Sequence, residues 1–166
     1  MRPFLFALSL TLSLGAHAAI FTSPPCAFKP SVEVIGIFVE DCQGRLLLLH
    51  RQERVKQGNR WGIPGGKLEP HESPLEAGRR ELLEETGIDL LVGDLTYIGK
   101  FFICASDCDF VYHMAKSSYS GPPTAIFLRE REHKGFTWLL PNEALELNLM
   151  EDEAPCIEAI YPIKRI

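Results

Sequence analysis

The chain has 166 residues, of which 46% are hydrophobic and 23% charged, and its formal net charge is -5. That length fits one domain, and that composition excludes a disordered chain. An acidic balance with no basic block argues against a nucleic acid polymer as partner, and no apolar run reaches the roughly 18 residues that span a bilayer.

The first residues have the pattern of a signal peptide. Arg2 gives a positive start, Phe4 to Leu14 form a short apolar run, and Ala16 and Ala18 are the small residues that a signal peptidase reads. We predict a signal peptide over residues 1–18 and an exported protein, periplasmic or secreted, with no membrane span after cleavage. The alternatives are an additional N-terminal helix or a wrongly chosen start codon, with a cytoplasmic location.

A lead-in and a hairpin follow. Residues 19–31 contain prolines that disfavour helix, so we predict an extended lead-in there and a domain over residues 32–166. Val32 to Val39 alternates and is rich in β-branched residues, Asp41 to Gly44 is a turn, and Arg45 to His50 contains four consecutive leucines. Together these segments predict a β-hairpin.

The sequence predicts one long helix from about Ser73 to Thr86. Ser73 suits the N-cap and Pro74 the first helical position, and Glu76 completes a capping box with Ser73. Gly87 suits a left-handed residue that ends the helix.

The remaining elements are shorter. Four strands are predicted, at Leu95–Cys104, Phe110–Ala115, Ala125–Leu128 and Phe136–Leu140. Two further helices are predicted, one that begins at Pro141 and one from Glu153 to Ile160. Mixed strands around few helices predict an α/β sandwich.

Three carboxylates share one face of the long helix. Glu81, Glu84 and Glu85 stand at positions i, i+3 and i+4, where like charges repel. A divalent cation would relieve that repulsion, and hard oxygen ligands suit Mg²⁺ or Mn²⁺. The alternative is a solvated acidic helix surface.

Two further features surround these carboxylates. Glu72 lies about two helical turns before Arg80, so the pair could join the preceding loop to the helix by a charge-assisted contact. Gly65 and Gly66 let the main chain approach an ion or a phosphate without a Cβ in the way.

The segment from Gly66 to Ile88 resembles the Nudix box, and no position of the pattern departs from it. The matching residues are Gly66, Glu72, Arg80, Glu81, Leu82, Glu84, Glu85, Gly87 and Ile88. The resemblance extends over about residues 32–160.

The resemblance implies the Nudix fold, an α/β/α sandwich with a mixed β-sheet, and Mg²⁺-dependent hydrolysis of a nucleoside diphosphate linked to another group. It implies that Glu81, Glu84, Glu85 and the Gly65 carbonyl bind the metal. It further implies that Gly66, Glu72 and Arg80 support the site.

The family often adds an acidic residue from a later loop. Glu132, six residues before Trp138, fits that place better than Glu130 does. The catalytic candidates are therefore Glu81, Glu85 and Glu132, and the base that activates water is Glu81 or Glu132.

The substrate is less well defined. Arg51 and Arg54 could contact substrate phosphates or belong to a solvated basic loop, together with Lys56 and Arg60. Asp152 could bind a base edge or stabilise the start of a helix. By elimination, the expected partner is a small nucleotide, either a nucleoside triphosphate or a nucleotide derivative.

Three other expectations follow. His113 and His133 are expected to be surface or core residues rather than metal ligands. The family resemblance allows a homodimer. A non-catalytic nucleotide-binding sensor domain is the alternative function.

Overall fold

The computed structural model describes residues 18–162. Apart from Ala18, the predicted signal peptide lies outside the described residues. The strands are β1 (Ala19–Phe21), β2 (Pro30–Asp41), β3 (Leu46–Arg51), β4 (Trp61–Gly62), β5 (Gly65–Lys67), β6 (Thr96–Cys104), β7 (Asp109–Tyr119) and β8 (His133–Leu139). The α-helices are α1 (Pro74–Thr86), α2 (Pro141–Ala144) and α3 (Glu153–Ile160), and a short 3-10 helix spans Val92–Asp94.

The eight strands form one mixed sheet. Its main path runs β1-β6-β7-β2-β3-β4, while β5 pairs with β2 and β8 pairs with β3. The central pair β2 and β7 is parallel, with Ile35 opposite His113, and the other pairs are antiparallel. The α/β class with a mixed sheet is therefore confirmed.

Apolar side chains are buried on both faces of the sheet. On one face, Ile35 and Ile37 of β2 pack with Leu82 of α1. On the other face, Phe38 of β2 packs in a cluster that includes Ile157 of α3. Alternate residues of one strand therefore serve two cores, which gives the predicted α/β/α layering.

The local signals of the long helix act as the sequence predicts. Ser73 is the N-cap of α1, and both hydrogen bonds of its capping box with Glu76 are present. Gly87 ends the helix with φ of 72°, and its N–H donates to the Leu83 carbonyl. These contacts fix the register of the glutamates that follow Arg80.

The prediction of a strand at Ala125–Leu128 is wrong. That segment is irregular because its main chain binds the end of α1: Phe127 N–H donates to the Thr86 carbonyl at 2.9 Å, and Arg129 N–H donates to the Glu85 carbonyl at 3.2 Å. Although the composition of this segment favours a β-strand, its main-chain hydrogen bonds to the end of α1 determine its conformation.

The lead-in also contains an element. Ala19–Phe21 forms β1, which pairs with β6 and places Ala19 opposite Cys104. None of the helices between residues 18 and 162 has the length and hydropathy that crossing a bilayer requires.

Candidate active site

Two glycines bring the loop before α1 against the helix. A Cβ on Gly66 would lie 2.3 Å from the carboxyl carbon of Glu81, and one on Gly65 would lie 2.2 Å from the Ile35 carbonyl oxygen. Gly65 also pairs with Gly36 of β2. A side chain at Gly65 would therefore collide with the main chain of β2, whereas one at Gly66 would displace the Glu81 carboxylate.

Glu85 is the most deeply buried of the three helix carboxylates, with 2% of its surface exposed. Its Oε2 accepts a 2.9 Å hydrogen bond from Gly65 N–H. Burial, aided by the charges of Glu81 and Glu132 and opposed by the Gly65 hydrogen bond, raises the pKa of Glu85 to about 8. A cation beside this carboxylate would favour its charged form.

Arg80 joins the loop to the helix in the way that the sequence spacing predicts. It donates two hydrogen bonds of 2.9 Å to Glu72, one of 2.8 Å to Glu81 and one of 3.0 Å to the Lys67 carbonyl. Burial raises the pKa of the Glu81 carboxyl, although Arg80 opposes the shift. Arg80 therefore orients Glu81 from one side while Gly66 lies close on another.

Glu132 is brought to the same cluster. Arg129 Nη1 lies 3.1 Å from Oε2 of Glu84 and 3.2 Å from Oε1 of Glu132. Glu130, the second candidate from this loop, is exposed, and its main-chain carbonyl accepts from the Gln52 side chain. Glu132 thus joins the three carboxylates of α1, although it lies far from them in sequence.

Among residues 18–162, no group of three or more His, Cys, Asp or Glu side chains is arranged to hold a metal ion. Arg80 and Arg129 instead bind Glu81 and Glu84. The donor set nevertheless fits a hard divalent cation, because its ligands are carboxylate oxygens and because the raised pKa of Glu85 is what a bound cation would relieve.

His133, which was expected to be a surface or core residue rather than a metal ligand, lies buried beside the carboxylates. The side chain is buried, Nε2 lies 3.7 Å from Oε1 of Glu85, and Nδ1 has no hydrogen-bond partner. Burial, aided by the charges of Arg51 and Arg129, lowers the pKa of His133 to about 4, so the ring is neutral at pH 7. Its position directly after Glu132 is the only signal that sequence offered.

His113 differs from His133 because both of its nitrogens are satisfied. Nδ1 lies 2.8 Å from the Tyr97 hydroxyl, and Nε2 lies 2.8 Å from a carboxylate oxygen of Glu33. His113 is thus a hydrogen-bonded buried residue, as expected.

A cavity of about 250 Å³ adjoins the carboxylate cluster. Glu85 and His133 line one end, and Asp152 and Glu153 line another part of the wall. Apolar side chains supply much of the remaining lining, among them Val32, Val34, Leu49, Ile63 and Phe110. An apolar cavity with a few polar groups has the general chemistry of a small-molecule site.

Asp152 and Glu153 form a buried acidic pair in the cavity wall. Glu153 accepts a 3.0 Å hydrogen bond from Ile63 N–H and a 3.4 Å bond from the Tyr112 hydroxyl. Burial raises the pKa of both carboxyls, the charge of Asp152 also raises the pKa of Glu153, and the charge of Glu151 raises that of Asp152. Sequence patterns identified Asp152 but not Glu153 or Tyr112, because these two side chains meet only when α3 packs against β7.

The contacts of Asp152 bear on its two predicted roles, which are to bind a base edge or to stabilise the start of a helix. It occupies the N-cap of α3, yet its side chain makes no cap hydrogen bond. The Gln57 side chain is hydrogen-bonded to Asp152 instead, and Gln57 Oε1 accepts from Glu151 N–H at 2.8 Å. The carboxyl is therefore oriented along the cavity wall rather than used to cap the helix.

The basic loop before β4 divides into two groups. Arg51 and Lys56 line the cavity, with Arg51 Nε donating to the Lys56 carbonyl at 3.0 Å. Lys56 also pairs with Asp107 at 2.7 Å. Arg54 is exposed and is not among the lining residues, while Arg60 contacts Gln57.

Comparison with known proteins gives a consistent result. A model of the NUDIX domain matches residues 30–160. The chain is 32% identical over 133 residues to the CTP pyrophosphohydrolase of Escherichia coli strain K12, which covers 80% of this chain and 93% of that relative. It is 42% identical over 125 residues to a MutT-like protein of Streptomyces ambofaciens, over 75% of this chain and 71% of that relative.

A solved structure agrees with these relatives. The solution structure of the E. coli ORF135 protein is similar with a TM-score of 0.63 and 29% identity, over 83% of this chain and 93% of that chain. The relatives that are named for pyrophosphate hydrolysis do not favour the alternative of a non-catalytic sensor domain.

Proposed function

The chain belongs to the Nudix hydrolase family and is an enzyme that acts on nucleotide pyrophosphates, and on that premise we propose a substrate and a cofactor. We propose that it hydrolyses a nucleoside triphosphate or a related nucleotide derivative with Mg²⁺, and that Mn²⁺ can replace Mg²⁺. The supporting observation is one cavity lined by the buried carboxylate Glu85 at one end and by the acidic pair Asp152 and Glu153 elsewhere.

The carboxylate cluster is the proposed metal site. Glu81, Glu84, Glu85 and the Gly65 carbonyl would hold the ion, which neutralises charge on phosphoryl oxygens and lowers the pKa of bound water. Arg80 and Gly65 N–H fix the orientation of Glu81 and Glu85. Glu72 supports the arrangement through Arg80.

We assign the base to Glu132. Its side chain is 41% exposed and pairs with the similarly exposed Arg129 at 3.2 Å, whereas that of Glu81 is 14% exposed and bound to the more deeply buried Arg80 at 2.8 Å. Glu132 takes a proton from water as the water oxygen bonds to one phosphorus. The bond from that phosphorus to the bridging oxygen breaks, and the bridging oxygen leaves with the released phosphate group.

The other parts of the cavity would bind the rest of the nucleotide. Arg51 lies close enough to Glu85, His133 and Asp152 to influence the pKa of each, so its guanidinium fits the phosphates between the two ends. Asp152 would accept a hydrogen bond from an exocyclic amino group. Cytosine offers such a donor at N4, which agrees with the name of the E. coli relative.

The test is a hydrolysis screen of the full chain with Mg²⁺ and with Mn²⁺. The panel contains nucleoside triphosphates, including CTP, UTP and an oxidised guanine form, together with ADP-ribose, nucleotide sugars and dinucleoside polyphosphates. We expect turnover that Glu85→Gln abolishes and that the matched surface variant Glu146→Gln retains, since Glu146 is exposed and follows α2. Nucleotide binding without turnover in the wild type would instead support the sensor alternative.

A further inference from the structure

Arg129 occupies a bridging position between Glu84, a proposed metal ligand, and Glu132, the proposed base. A single nitrogen, Nη1, lies 3.1 Å from Glu84 and 3.2 Å from Glu132. Glu84 belongs to α1 and Glu132 to the turn before β8, so the guanidinium joins two elements that sequence places far apart. A divalent cation bound by Glu84 would meet this positive charge.

The ion pairs of Arg129 with Glu84 and Glu132 can be broken at little cost. The three side chains are between 37% and 44% exposed, and ion pairs with that exposure add little stability. The arginine side chain can therefore leave its carboxylates at a small free-energy cost. The more deeply buried Arg80, in contrast, makes four hydrogen bonds to its surroundings.

The main chain of Arg129 holds the loop independently of the side chain. Its N–H donates to the Glu85 carbonyl, and its own carbonyl accepts from Glu132 N–H and His133 N–H, each at 3.0 Å. These bonds survive a change of side chain. A variant at this position therefore removes the guanidinium without removing the anchor that keeps Glu132 near α1.

We propose that Arg129 is an internal counter-ion that bridges Glu84 and Glu132, and that a divalent cation must displace it from Glu84 to bind there. The inference rests on the proposed metal site of the enzyme. It explains why the carboxylates that face Arg129 are held by a guanidinium in the described structure. It also assigns Arg129 a defined effect: the residue weakens metal binding.

The test measures metal binding without substrate. Free Mn²⁺ is followed by electron paramagnetic resonance during titration of the full chain. The Arg129→Gln variant should bind Mn²⁺ about fivefold more tightly, because removal of a unit charge within a few ångströms of a divalent ion outweighs ionic screening. Arg129→Lys keeps the charge and should stay closer to wild type than Arg129→Gln does.

Arg131→Gln is the matched control. It makes the same change of charge two residues away, at an exposed side chain. We expect its Mn²⁺ affinity to change by less than about twofold, since charges on exposed side chains are screened. An equal gain in Arg129→Gln and Arg131→Gln would show a general charge effect and overturn the proposal, as would unchanged or weaker Mn²⁺ binding by Arg129→Gln.

The nucleotide screen separates this inference from the proposed function. Tighter Mn²⁺ binding by Arg129→Gln in a chain that hydrolyses no nucleotide would support the counter-ion and refute the hydrolase. Turnover by both proteins with equal Mn²⁺ affinity would refute the counter-ion alone. Absence of Mn²⁺ binding by both proteins would refute both.

Discussion

The main-chain N–H of Gly65 donates a 2.9 Å hydrogen bond to the buried carboxylate of Glu85, twenty residues later in the chain. Gly65 is simultaneously paired with Gly36 in the sheet. The position of the carboxylate is therefore set by β2 as well as by α1. A small displacement of this loop should move the site without unfolding the domain, and the neighbouring glycine offers a way to test this.

Gly66→Ala should retain the fold and lose activity. The added Cβ would meet the end of the flexible Glu81 side chain, which can move aside at little cost to stability. Because a displacement of about 1 Å in a catalytic group lowers rates by about 100-fold, we expect a similar fall in kcat. Melting temperature and steady-state kinetics of the same preparation give the two readouts.

Two other glycines are the controls. Gly93→Ala meets no atom within 4 Å and should leave both stability and activity unchanged, whereas Gly65→Ala meets the Ile35 carbonyl and should destabilise the protein. If Gly66→Ala retained full activity, the close approach of this loop to Glu81 would have no catalytic consequence.

Glu72→Gln should destabilise the protein in a pH-dependent way. The hydrogen bonds from Arg80 hold the pKa of Glu72 below 4.5, against the opposing effect of burial. A lowered pKa stabilises the fold above the unfolded value, and this contribution is lost as pH falls through the folded value. We expect a loss of about 2 kcal/mol at pH 7, measured by urea unfolding.

The difference between Glu72→Gln and wild type should shrink as pH falls below 4.5. Glu146→Gln, an exposed carboxylate change, is the control and should show no such dependence. A difference in unfolding free energy that stays constant from pH 7 to pH 3 would contradict an electrostatic origin.

Sequence predicted the parts of this molecule that depend on near neighbours. Ser73 and Glu76 cap α1, Gly87 ends it, and the spacing of Glu72 and Arg80 predicts their contact. Each of these relationships spans few residues, so a local rule suffices.

The parts that sequence did not predict depend on packing between distant segments. The contact of Arg129 with Glu84 and the burial of His133 beside Glu85 exist only once β8 has paired with β3. Glu153 is buried against Ile63 N–H, ninety residues away. The strand prediction for Ala125–Leu128, which was based on composition, failed for the same reason, because this segment forms its hydrogen bonds with the end of α1.

Asp152→Asn should change the preference of the enzyme for one nucleobase over another rather than the chemical step. The carboxylate would accept from N4 of cytosine, whereas an amide can also donate to O4 of uracil. We expect kcat/KM for CTP to fall by about 10- to 100-fold with a smaller change in kcat, and the ratio of CTP to UTP hydrolysis to fall. A uniform loss for both nucleotides would place Asp152 outside base recognition.

His133→Phe should remove part of the acid sensitivity of the fold. Burial, aided by the charges of Arg51 and Arg129, lowers the pKa of His133 from 6.5 to about 4. Between these two values the unfolded chain binds a proton that the folded chain does not, so stability falls as pH falls from 6.5 towards 4. The full effect is roughly 3 kcal/mol.

The measurement is urea unfolding of wild type and His133→Phe between pH 7 and pH 4.5. At pH 7 the variant should be close to wild type or more stable, because it removes a buried nitrogen that has no hydrogen-bond partner. As pH falls, the variant should become progressively more stable than wild type. The raised pKa of Glu85 makes the fold more stable as pH falls, which opposes the effect of His133. Because both proteins contain Glu85, comparing their unfolding free energies at each pH reduces this contribution. Parallel pH profiles would show that the pKa of His133 is the same in the folded and unfolded chains, and would contradict its lowering by burial.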